Sequence, residues 1–185
     1  MLKKLDFDMT TKAQPEITKM ITLYMQFSKN SRVWIYQSDR ELTDTQSQHI
    51  QQQLSDFAQS WTAHNNELKA GATVKYNRFL ILVVDESQAG ASGCSIDKSV
   101  RVMKELEQQH GINLFDRFNL AYREGDKIIS VPRNEFEELI KAGQITAGTI
   151  VYNNLVQTLD ELQTKWEVPL QNSWHVQLFG NLLTA

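Results

Sequence analysis

Phe79-Leu80-Ile81-Leu82-Val83-Val84 is the feature that most constrains how this chain can fold. Six apolar residues in a row, two of them β-branched valines at the end, are too few to cross a membrane and have no polar alternation. A strand with that composition must be covered on both faces, so it belongs in the middle of a sheet. The rest of the chain has to supply the covering. With 185 residues and 41% hydrophobic content, one ordinary domain or two small ones can bury such a core.

The order of the remaining elements follows from periodicity. Val33-Trp34-Ile35-Tyr36 reads as a strand, after which Thr43 or Asp44 can cap a helix with Ile50, Leu54, Phe57 and Trp61 on one stripe. Ala72 to Tyr76 and Phe79 to Val84 are β-rich runs joined at Asn77-Arg78 as a tight hairpin. A second helical stripe, Val100, Met103 and Leu106, starts near Lys98 and stops at Gly111, which suits a left-handed cap. Phe118 to Arg123 and Lys127 to Val131 form a hairpin through Gly125-Asp126. Strand, helix, strand, strand, helix, strand is the split β-α-β, ferredoxin-like order, so the expected fold is α+β with an antiparallel sheet over residues 31–131. Residues 132–185 predict a small α+β module packed on it: a short helix with Phe136, Leu139 and Ile140 closed by Gly143, a strand from Thr149 to Tyr152, and a last helix with Leu159, Leu162 and Trp166. Residues 1–30 read as an extension with at most one helix, marked by Ile17, Met20, Ile21 and Tyr24.

Charge and cysteine content narrow the function classes. A formal net charge of −3 gives no general basic field, so nucleic acid is not an expected partner. A single cysteine allows no internal disulfide, and with no secretory leader pattern the expected location is the cytoplasm. No cofactor is implied, and scattered histidines with one cysteine give no close-spaced ligand set for a metal.

The chemistry-bearing segment is Asp85 to Asp97, where the central strand ends and a helix begins. Cys94 would stand near a helix N-terminus, whose dipole and free N–H groups favour thiolates and anions. As a nucleophile it needs a base, and His64 and His175 are the candidates because each follows a tryptophan-containing apolar segment. A cysteine packed as a small residue under the helix is the commoner fate. Gly93 and Ser95 suggest a looser anion site on the N–H groups up to Ile96, against plain capping by Ser95 or Asp97. A P-loop is excluded, since Asp97 stands where a glycine must precede Lys98. Glu86 and Asp97, with Asp85, are candidate carboxylates for a ligand, though a solvated strand end explains them more simply. Arg78 could clamp a carboxylate or phosphate, against a solvated arginine in a turn.

Residues 32–38, 76–79, 91–99 and 173–175 together resemble a family of uncharacterised bacterial proteins often labelled ABC-transporter ATPases. That label implies a P-loop and a cassette signature, and the chain has neither, so the resemblance implies no activity for any residue. Lys127 to Trp166 is similar to small bacterial relatives of the Gly-Tyr-Phe adaptor domain, which implies peptide or partner binding. The expected function is therefore a cytoplasmic binding protein for a protein partner or small anionic ligand, with a homodimer expected by analogy. Two alternatives stand beside it: a cysteine-dependent hydrolase or transferase using Cys94 with His64 or His175, and an anion or nucleotide binder at the Gly93 to Ile96 turn.

Overall fold

The computed structural model describes residues 26–64, 66–87 and 89–183. The helix expected from Ile17, Met20, Ile21 and Tyr24 lies outside them. Strand β1 (Arg32–Gln37) leads to α1 (Asp44–Ser60), the two-residue strands β2 (Thr62–Ala63) and β3 (Asn66–Glu67), β4 (Lys69–Lys75) and β5 (Phe79–Asp85). Helix α2 (Gly93–His110) is followed by β6 (Asn119–Glu124), β7 (Lys127–Pro132), α3 (Arg133–Lys141), β8 (Ile150–Tyr152), α4 (Leu159–Thr164), β9 (Glu167–Pro169), a 3-10 turn (Leu170–Asn172) and α5 (His175–Leu183).

β5 is the centre of a three-stranded antiparallel sheet of order β1-β5-β4, and all seven of its residues are buried. Successive side chains on a strand point to opposite faces, so the apolar run serves two cores. Leu80, Leu82 and Val84 pack with Ile50 and Leu54 of α1 and Met103 and Leu106 of α2. Phe79, Ile81 and Val83 pack with Ala121, Tyr152, Leu159, Leu162 and Trp166. A second antiparallel sheet, β7-β6-β8-β9, supplies Ala121 and Tyr152 to that inner core, and its other face carries Leu120, Tyr122 and Val151 against Phe136, Ile140 and Phe179. The layers run α1 and α2, first sheet, second sheet with α4, then α3 and α5.

The fold is α+β with antiparallel sheets, but β6 does not complete a four-stranded first sheet as the ferredoxin-like order requires. It pairs with β7 and β8 instead. The outer edge of β1 is engaged by a segment from late in the chain: Arg32 bridges Thr158, and the Val33 N–H donates to Gln157 O at 2.9 Å. At the other end of β1, the Gln37 amide donates to Asn119 O and Ser130 Oγ and accepts from Asn154 Nδ2, whose Oδ1 accepts from Trp166 Nε1. The boundary expected at 131/132 thus runs through the second sheet, since Tyr122 of β6 pairs with Val151 of β8.

Local signals place most of the ends. Thr43 caps α1 in a full capping box with Gln46. Gly111 closes α2 at φ 58°. Gln51 covers the edge of β4, accepting from Val74 N–H and donating to Ala72 O, as a neighbouring strand would. No helix among the described residues is long and apolar enough to cross a membrane.

Candidate functional site at the start of α2

The end of β5, the first turn of α2 and the β2–β3 hairpin meet at one end of the first sheet. Helix α2 begins at Gly93, five residues before Lys98, so Cys94 and Ser95 stand inside its first turn. Ser92 is the N-cap rather than Ser95 or Asp97: its Oγ accepts from Ser95 N–H at 3.3 Å and its carbonyl from Ile96 N–H at 2.9 Å. Ser95 is buried and fully used, its hydroxyl donating to Ser92 O and its carbonyl accepting from Trp61 Nε1 at 2.9 Å. Gly93, Cys94 and Asp97 are exposed. The N–H groups of Gly93 and Cys94 have no acceptor among the described residues, which leaves two donors at the positive end of the helix.

Acidic and basic side chains surround this turn, most of them paired. Asp85 is buried and accepts from Lys69 Nζ at 2.8 Å and from Ser87 N–H at 3.1 Å, and these bonds hold its pKa down at about 2. Glu86 accepts from Ala91 N–H at 3.0 Å and faces Arg32 at 3.8 Å, while the Arg32 guanidinium lies over the Trp34 ring. Lys98 Nζ donates to Thr62 Oγ1 at 3.3 Å, which ties the β2–β3 hairpin to the helix. His64 sits exposed in that hairpin at φ 50°. Among the described residues no hydrogen bond reaches the Cys94 thiol, and no group of three or more His, Cys, Asp and Glu forms that could hold a metal ion.

Of the residues singled out from the sequence, Cys94, Gly93, Ser95, Asp97, Glu86 and His64 come to this end of the sheet. His175 does not. It is 1% exposed at the start of α5, stacked on Trp174 and Phe136 beyond the second sheet, with Ser173 Oγ 2.8 Å from its Nδ1. Both sheets separate it from Cys94. Arg78 is also elsewhere, at the opposite end of β5, roughly 20 Å away along a seven-residue strand.

Arg78 is no solvated turn residue either. The hairpin turn centres one residue earlier, on Tyr76 and Asn77 at φ 55° and 47°, and Arg78 is 6% exposed. Its guanidinium donates to Ser38 O and Ile128 O at 3.3 Å, Nε has no partner among the described residues, and burial lowers its pKa. It links the first sheet to β7. The left-handed Tyr76 is held by its hydroxyl donating to Glu167 Oε2 at 2.9 Å and by stacking on Trp166. Arg123 donates to Tyr152 Oη and pairs with Glu167, closing a polar rim around these aromatics.

Sequence reasoning missed the Lys69–Asp85 pair and the Gln37 network, whose partners become neighbours only once strands pair; Gln37 and Asn154 are 117 residues apart. Comparison with family models, with curated proteins and with solved structures finds no match for this chain.

Proposed function

We propose that this chain is a cytoplasmic binding protein that engages a protein partner through an apolar surface beside the end of β1. The carrying observation is the placement of the two most exposed large hydrophobics among the described residues, Phe118 at 72% and Leu155 at 62%. Their chain neighbours Asn119 and Asn154 both hydrogen-bond the side-chain amide of Gln37, so the two apolar groups flank one point of the fold. Phe115, itself 37% exposed, stacks edge-on against Tyr36 of the same strand. Apolar groups gathered on a surface in this way favour association, because contact removes them from water. In this reading β1, α1, β4, β5 and α2 are a ferredoxin-like split unit without its fourth strand, and the partner surface lies at the Gln37 end of the flank that strand would have occupied, the Arg32 end being taken by Gln157 and Thr158.

The test is a Phe118→Ser, Leu155→Ser double variant of the full chain. Sedimentation across a concentration series asks whether the partner is a second copy, and proximity labelling in the source cell asks for another protein. A dimer, or a labelled neighbour, that is present with the natural chain and lost with the variant supports the reading. Unchanged neighbours and a monomer in both forms refute it.

A second reading has its own observation: the unpaired N–H groups of Gly93 and Cys94 beside Lys98 suit a small anion. Phosphate, sulfate or a nucleotide bound there raises the melting temperature. No shift at millimolar anion counts against it. A cysteine-dependent hydrolase or transferase would pair Cys94 with His64, both exposed at the same end of the sheet.

A further inference from the structure

The last residue of α2, His110, meets the start of α1. Its ring stands edge-on to His49, with 5.4 Å between centroids. Its carbonyl accepts from Arg40 Nη2 at 2.9 Å and from Gln46 Nε2 at 3.3 Å, and Arg40 Nη1 donates to Gln46 Oε1 at 3.2 Å. Gln46 completes the capping box of α1, so one cluster ties the C-terminus of α2 to the N-terminus of α1.

That cluster suits a neutral imidazole and not a charged one. Nε2 of His110 is buried and has no partner among the described residues, whereas a protonated ring carries a hydrogen on both nitrogens and each needs an acceptor. Burial, then His49 from α1 and Arg40 from the β1–α1 link, hold the His110 pKa below its ordinary 6.5. The dipole at the end of α2 favours a cation but does not offset them. The carboxylates of this region are engaged elsewhere: Asp39 accepts from Asn113 N–H at 3.0 Å and Glu107 from Leu114 N–H at 2.6 Å.

Those bonds lead to the apolar surface beside β1. After the Gly111 cap the chain forms the loop that carries Phe115 and Phe118. Asn113 O accepts from Asp39 N–H at 3.0 Å, and Asn113 Oδ1 accepts from the N–H groups of Phe115 and Asp116 at 3.0 and 3.1 Å. Arg40 is thus one residue from the Asp39–Asn113 pair that shapes the loop. Ile112 and Leu114 are buried, so the root of the loop stays seated and its polar ties are what can yield.

We propose that His110 is a pH switch for the partner surface: proton uptake drives Arg40 off the end of α2 and loosens the loop that presents Phe115 and Phe118. The purpose of the switch rests on the partner reading above, but the response of the loop is measurable without a partner. A freed ring takes up its proton near 6.5 while the docked ring resists it, so the loosened form gains as the pH falls below 6.5.

The experiment follows backbone amide shifts and ring-to-ring nuclear Overhauser contacts of the full chain from about pH 7.5 to about pH 5, for the natural chain and for His110→Phe. Phe keeps a ring, and Nε2 has no hydrogen bond to lose. Expected are shifts at Asn113, Phe115 and Asp116 that move together with a midpoint below 6.5, and a Phe115–Tyr36 contact that weakens at least about twofold, both absent in the variant. His49→Phe should raise the midpoint, since it removes one of the groups that disfavour the charge. His175 is present in every form, and steady β5 amides show that the fold as a whole is intact. Loop amides that do not titrate, or that titrate equally in His110→Phe, overturn the switch and leave the partner reading standing. Titrating loop amides together with unchanged neighbours in the Phe118→Ser, Leu155→Ser comparison do the reverse.

Discussion

Acid should weaken this fold through one imidazole in particular. His175 is 1% exposed between Trp174 and Phe136, and burial holds its pKa down at about 4, against an ordinary 6.5. The unfolded chain takes up this proton near pH 6.5, while the native ring resists it until about 4. Stability from this group is therefore full above about 6.5, falls as the pH drops through that window, and levels off below about 4. The limiting loss is about 3 kcal/mol at 1.36 kcal/mol per unit, and about 2 kcal/mol of it falls between about pH 7 and about pH 4.5. Urea unfolding at those two pH values, for the natural chain and for His175→Phe, isolates the effect. Phe keeps the ring but cannot titrate, and it leaves the Ser173 hydroxyl without a partner, at a cost of about 1–3 kcal/mol that is the same at both pH values. His110, whose pKa burial also lowers, shares the window and is present in both proteins. Asp85 titrates near about 2 and contributes little there. The natural chain should lose about 2 kcal/mol more than the variant between the two conditions. Equal losses would mean that His175 accepts its proton freely in the native state, and the placement behind the second sheet would be wrong.

Asp85→Asn removes the charge that Lys69 pairs with and should cost about 1–3 kcal/mol, read as a lower urea midpoint near neutral pH. Since the pKa of Asp85 lies below the ordinary carboxylate value of 3.8, this difference should shrink as the pH falls from about 3.8 toward about 2. Thr43→Ala opens the capping box of α1 and should lower stability by about 1 kcal/mol by the same assay, with Thr43→Ser recovering most of it. Iodoacetamide at neutral pH should alkylate the exposed Cys94 in the folded protein at least as fast as after unfolding, and the cysteine-dependent reading further requires His64→Ala to slow it. Alkylation much slower than in the unfolded chain sinks the cysteine-dependent reading.

Much of the local architecture was legible in the letters. The Thr43 cap, the left-handed Gly111, the turn at Gly125 and the two helical stripes are short-range effects, decided by hydrogen bonds and φ angles within a few residues. Helix α5 is not among the elements expected from periodicity. The spacing of His175, Phe179 and Leu183, four apart, was the signal available.

Composition alone required that Phe79 to Val84 be covered on both faces, and the chain length allowed it. Which groups do the covering was a tertiary decision. Thr158 bridging Arg32, and Asn154 reaching Gln37, join segments more than 100 residues apart, and no local preference encodes such contacts. The same holds for the sites. Cys94 at a helix start could be read directly, but whether a histidine stands beside it depends on how two sheets stack. That stacking puts His175 behind both of them.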